Sequence, residues 1–121
     1  MAKRVMVVDD SRVIELQMRQ LLEGSGYEVA AYCRDGEMAI ASYGEVQPDL
    51  VTMDIIMPGM DGLETARAIL EDHPEARIVM VSSLAYDDTF EEAKAIGAKA
   101  FLDKPLDETK LLAALDQAMS G

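Results

Sequence analysis

Acids, hydroxyls and a lysine stand at the ends of apolar runs in this chain. Asp9-Asp10 follows Val5-Met6-Val7-Val8, Asp54 follows Leu50-Val51-Thr52-Met53, Ser82-Ser83 follows Val79-Met80-Val81, and Lys104 comes just after Phe101-Leu102. Gathered in one place, such residues handle phosphate. Three neighbouring carboxylates repel one another, so one holds a proton or a cation lies among them. Hard oxygen donors suit Mg²⁺, with Mn²⁺ as the alternative; Mg²⁺ keeps several waters and takes one or two carboxylates plus phosphate oxygens. Lys104 offers a point charge for phosphate, and Ser82 a hydroxyl donor. A carboxylate can accept a phosphoryl group as an aspartyl phosphate. Metal, lysine and hydroxyl then stabilise charge on the transferring group. The set holds a nucleophile, a metal site and an anion clamp, but no evident general base.

Each residue alone carries little. A strand-end acid such as Asp54 most often only caps a turn. Asp9-Asp10 suits the positive start of any helix. Ser82 suits any strand end, and Lys104 any solvated loop. Their weight comes from the elements that position them.

Residues 4–8 read as a strand buried on both faces, and Ser11 is placed to cap the helix that follows. Ile14, Met18, Leu21 and Leu22 recur at helical spacing until Gly24 and Gly26. Residues 28–33 form a second strand, and Asp35-Gly36 opens a second helix that closes near Gly44. The third strand ends on Asp54; Pro58, Gly59 and Gly62 break the regular structure after it. Asp61-Gly62-Leu63-Glu64 has helix-capping spacing and starts a third helix that runs to Asp72. Residues 77–82 are a fourth strand. Asp87-Asp88 begins a fourth helix stopped by Gly97. Residues 100–103 are a short fifth strand, and Asp107 caps a last helix. Strand and helix alternate five times, which builds a parallel sheet with helices on both faces. All strand C-termini then share one edge, where open α/β sheets bind ligands.

Composition narrows the function. The 121 residues fit one domain, 1–121, able to bury roughly two thirds of its unfolded surface. The net charge of −12 lacks the basic footprint that direct nucleic-acid binding needs, and it opposes an anionic membrane surface. The apolar runs are too short to span a membrane, and no signal segment opens the chain. The single cysteine, Cys33, fits a reducing cytoplasm and reads as a core side chain. The one histidine, His73, has no catalytic partners nearby in sequence, and the methionines read as core filler.

The chain resembles the receiver domain of two-component response regulators over nearly its whole length. The resemblance rests on Val7-Val8-Asp9-Asp10-Ser11, on Met53-Asp54-Ile55-Ile56-Met57-Pro58-Gly59-Met60-Asp61-Gly62, and on Val81-Ser82-Ser83, Gly97-Ala98 and Lys104-Pro105, in that order. It implies a doubly wound (βα)5 fold with strand order 2-1-3-4-5. It implies Asp54 as phosphoacceptor and Asp9, Asp10, Asp54 and the Ile56 main-chain carbonyl as the metal ligands, with Asp9 acting through water. Lys104 would bind phosphate, with a cis Lys104-Pro105 bond aiming it, and Ser82 and Phe101 would be the switch residues. Phe101 stands where the family often has Tyr. The implied partners are a histidine kinase or phosphotransfer protein and a downstream protein. The latter would dock on the fourth helix, fifth strand and fifth helix, around Tyr86, Phe90, Lys94, Phe101 and Lys110. The implied protein is a signalling phosphoacceptor rather than an enzyme, monomeric or dimerising on phosphorylation. Ile56 and Leu84 are apolar where side chains of the family influence the attacking water, which implies slow loss of the phosphoryl group.

The start at Met1 and the end soon after the last helix favour a stand-alone receiver of chemotaxis type. The alternatives are a receiver excised from a longer regulator with DNA-binding or methylesterase output, or an interaction module with damaged sites. A flavodoxin-like flavin-phosphate binder is a further one. It would need a Ser/Thr/Gly-rich cradle where this chain has Asp9-Asp10.

Overall fold

The computed structural model describes residues 2–83 and 87–120, with Asp87 described by its backbone alone. The elements follow the expected alternation: β1 (Lys3–Val8), α1 (Arg12–Leu22), β2 (Tyr27–Cys33), α2 (Gly36–Val46), β3 (Leu50–Asp54), α3 (Gly62–Asp72), β4 (Ile78–Ser82), α4 (Asp87–Ile96), β5 (Ala100–Asp103) and α5 (Glu108–Ser120). The strands form one parallel sheet in the order β2-β1-β3-β4-β5.

Every residue of β3 and β4 is buried, as expected for inner strands covered on both faces. Alternate side chains feed two cores. Met6, Val8, Val51, Met53, Ile78 and Met80 meet Ala39 and Tyr43 of α2, Ala66 and Ile69 of α3 and Ala93 of α4. Val5, Val7, Leu50, Val79, Val81 and Leu102 meet Met18 and Leu22 of α1 and Leu111 and Leu115 of α5. Cys33 is buried in the first core, as expected.

The strands are in register at their carboxyl ends. Val8 pairs with Met53, so Asp9 and Asp54 come out level. Asp54 pairs with Val81, and Ser82 with Asp103, so Ser82 and Lys104 emerge one step further along the same edge. β2 carries a bulge: Val5 faces Val29 while Met6 faces Ala31, leaving Ala30 unpaired.

The caps expected at Asp61 and Asp107 form, and Asp35, expected to open the second helix, caps it as well. Asp35 accepts the Met38 amide at 2.8 Å, Asp61 the Glu64 amide at 2.9 Å and Asp107 the Lys110 amide at 2.9 Å. Ser11 does not cap as expected. It stands at the N-cap position of α1, but its hydroxyl makes no capping bond. The Ser11 amide itself donates to Asp9 Oδ1 at 2.8 Å, and the Ile14 amide donates to the Ser11 carbonyl at 3.1 Å. Among the described residues, no helix is long and apolar enough to cross a membrane.

Candidate phosphate and metal site

The strand register brings Asp9, Asp10 and Asp54 together. One carboxylate oxygen from each lies within 4.8 Å of the others. Asp9 and Asp54 are buried, while Asp10 is exposed and opens the cluster to solvent. Lys104 Nζ lies 2.9 Å from Asp9 Oδ2 and 3.3 Å from Asp54 Oδ1. The ammonium thus bridges the two buried carboxylates. Lys104 is placed by its own backbone: its amide donates to the Ser82 carbonyl at 2.9 Å, and the bond to Pro105 is cis, as expected.

The charges do not balance. Three carboxylates face one ammonium. Burial, and then the negative charge of Asp9, push the Asp54 carboxyl up to about 6, against the pull of Lys104. For Lys104, burial works toward a lower pKa, but the contacts with Asp9 and Asp54 outweigh it and raise the value above that of a free lysine. A hard divalent cation fits this excess of oxygen donors.

Gly62, which in sequence reads as a breaker and part of a helix start, also packs against the acceptor strand. Its amide donates to the Ile55 carbonyl at 2.7 Å. A Cβ at Gly62 would lie 2.0 Å from the Asp54 carbonyl oxygen. Only glycine lets α3 begin this close to the acid. Two residues beyond Asp54, Ile56 is 53% exposed. Leu84 lies outside the described residues.

Ser82 is buried at the end of β4, in the alternation that carries Ile78 and Met80 into the α2–α4 core. Phe101 lies away from the acids. Its partly buried ring packs 5.4 Å from that of Phe90, which is exposed. The two rings line a groove of about 320 Å³ with Ala93, Lys94, Lys99 and Gln117, flanked by α4 and α5. Lys94 Nζ sits 5.2 Å over the Phe90 ring. Lys110 is exposed at the start of α5 and does not line the groove; Tyr86 lies outside the described residues.

A five-stranded sheet of this order, with an acid trio and a lysine at its carboxyl edge, defines a doubly wound phosphate-site protein. The chain belongs to the response regulator receiver domain family, which it matches over residues 5–116. It is 40% identical to the Bacillus subtilis protein CcdB over 96% of this chain and 97% of that one. It is 36% identical to the chemotaxis protein CheY of Thermotoga maritima over 97% and 98%. Among solved structures it matches a complex of CheX, CheY, BeF₃ and Mg²⁺ from Borrelia burgdorferi, with a TM-score of 0.88, 35% identity and coverage of 98% of this chain and 87% of that one. The chain is thus a CheY-like receiver of two-component signalling. Phosphorylation and Mg²⁺ dependence are general for this family, and its members bind Mg²⁺ at an acidic pocket.

Proposed function

We propose that Asp54 accepts a phosphoryl group from the phosphohistidine of a histidine kinase or phosphotransfer protein, with Asp9, Asp10, Asp54 and the Ile56 carbonyl holding Mg²⁺. An Asp54 oxygen bonds to phosphorus as the phosphorus–nitrogen bond breaks, and the histidine leaves with its electron pair. The observation that carries this reading is the single lysine spanning Asp9 and Asp54 within a three-acid cluster. Lys104 pairs with both buried carboxylates before transfer, offsetting one of their charges, and would pair with the new phosphate oxygens after it. Mg²⁺ would supply charge neutralisation for the acids and the incoming phosphate.

The chemistry would reach a protein partner through Ser82 and Phe101. A phosphate adds about −1.5 to −2 charges at neutral pH. Ser82 would donate its hydroxyl to that phosphate, and its inward movement would make room for Phe101 to turn in. The Phe90–Phe101 groove, with Lys94 and Lys99 at its rim, is the docking face this reading assigns to the partner. A cytoplasmic receiver of chemotaxis type is the form this reading favours, and CheY of Thermotoga maritima is a relative of chemotaxis type.

Acetyl phosphate with Mg²⁺, followed by intact mass, tests the acceptor. The wild type should gain one phosphate, and Asp54→Asn none. A full adduct on Asp54→Asn, or undiminished phosphorylation in EDTA, would overturn the reading.

A further inference from the structure

The bulge in β2 has a local effect beside the acids. Tyr27 and Val29 pack on the α1–α5 side of the sheet, but after unpaired Ala30 the alternation inverts. Ala31 and Cys33 then turn to the α2–α4 core, and Tyr32 turns to the α1 side. A one-residue shift exchanges the faces of every later side chain. Without the bulge, Tyr32 would face away from α1.

On that side, the Tyr32 hydroxyl donates to the Asp9 carbonyl at 2.7 Å. The Asp9 amide donates to the Cys33 carbonyl at 3.1 Å. The main chain of Asp9 is therefore held at both its polar groups by adjacent residues of one strand. The Asp9 carbonyl belongs to the peptide that joins Asp9 to Asp10, so the same hydroxyl fixes the plane from which Asp10 springs. The ring itself is held: the Arg12 guanidinium lies 6.0 Å over it. Arg12 Nε in turn pairs with Glu15 Oε1 at 3.1 Å, and Glu15 is buried and paired with Arg19 at 2.9 Å. The hydroxyl thus comes from a side chain with little freedom of its own.

We propose that Tyr32 is a positioning residue for the divalent cation, holding the Asp9–Asp10 peptide so that both carboxylates are presented before the metal arrives. The inference rests on the metal reading above. Mg²⁺ demands near-ideal octahedral geometry, so a loose ligand peptide weakens binding more than it would for a tolerant ion. Ligand groups held in place by hydrogen bonds behind them avoid an ordering cost on binding. Tyr32 touches neither substrate nor metal. Its effect should fall on metal affinity and leave the reaction at saturating metal alone.

The test titrates MgCl₂ into ¹⁵N-labelled protein, follows the Asp10 and Ser11 amide shifts, and measures acetyl phosphate phosphorylation across the same Mg²⁺ range. Tyr32→Phe keeps the ring and the Arg12 contact and loses only the hydroxyl. It should weaken Mg²⁺ binding about three- to tenfold, the range one hydrogen bond carries. Its phosphorylation rate at saturating Mg²⁺ should match that of the wild type. Tyr27→Phe is the control: Tyr27, at the far end of β2, donates its hydroxyl to Asp116 and should leave Mg²⁺ affinity unchanged. Wild-type affinity in Tyr32→Phe, or an equal loss in Tyr27→Phe, would overturn the inference. Asp10→Ala separates it from the reading beneath: if that variant binds Mg²⁺ normally, the metal reading fails, and if it alone weakens binding, only the part given to Tyr32 fails.

Discussion

The Cα of Gly62 lies against the main chain of Asp54, so closely that any Cβ would fall 2.0 Å from the Asp54 carbonyl oxygen. The neighbour is backbone, at the end of a fully buried central strand, and cannot turn aside as a side chain could. Gly62→Ala should therefore push α3 away from β3, costing about 1–3 kcal/mol as overpacking does, and should slow phosphorylation by displacing Asp54. Gly59 supplies the contrast. It has a φ of +77° but open space around it. Gly59→Ala should cost about 1–2 kcal/mol of backbone strain and leave phosphorylation near wild type. Urea unfolding with an acetyl phosphate assay reads both, and equal phosphorylation in the two variants would count against the Gly62 contact.

Acidity in the pocket sets a dependence on pH. The Asp54 carboxyl is pushed from 3.8 up to about 6 in the fold. Between those values the native state holds a proton that the unfolded chain has lost, so stability falls as pH rises from about 4 to about 6. In EDTA at pH 7, Asp54→Asn should be more stable than wild type by about 1–2 kcal/mol, allowing for solvent at the open side of the pocket. The gap should close below pH 4, where both forms are neutral at this position. Adding Mg²⁺ should narrow the gap at pH 7 by stabilising the wild type. Chemical unfolding at several pH values measures it; a gap that grows toward pH 4 would contradict the sign.

The lifetime of the phosphoryl group should depend on Ile56. Its side chain is exposed two residues beyond Asp54 and can neither donate nor accept a hydrogen bond. An attacking water therefore gains no orientation from it. Ile56→Asn should hydrolyse the aspartyl phosphate roughly tenfold faster, about one hydrogen bond's worth of barrier, without changing stability by much. Decay of the phosphorylated mass after removal of acetyl phosphate gives the rate, and an unchanged rate would end this account.

The parts of the fold and site that were legible in sequence share one cause. Inner parallel strands are buried on both faces, so they read as unbroken apolar runs, and the first polar residue after each run marks the ligand edge. Asp9, Asp54 and Ser82 stand at such positions, and Lys104 lies one residue beyond the first polar residue after the apolar run of β5. What escaped depends on contacts between distant segments. The closeness of Gly62 to Asp54 is invisible in a motif that also reads as a helix start. The bulge at Ala30 leaves no mark, because two consecutive alanines pattern the same way on either face. Glu15 lies beside Ile14 on α1 and reads as a solvated acid, yet it is buried between Arg12 and Arg19. Ser11 has a capping residue type, but its hydroxyl makes no capping bond.

The strand order also distributes stiffness. β3, which carries Asp54, is bonded on both sides and sits in the middle of the sheet. β5, which carries Phe101, is four residues long and has a single neighbour. The acid cluster is thus anchored where the sheet is hardest to deform. The aromatic groove lies at a margin that can yield without breaking a ladder on its far side. A small strain raised at the rigid centre would then be relieved at this compliant rim, where the exposed ring of Phe90 packs on the partly buried ring of Phe101.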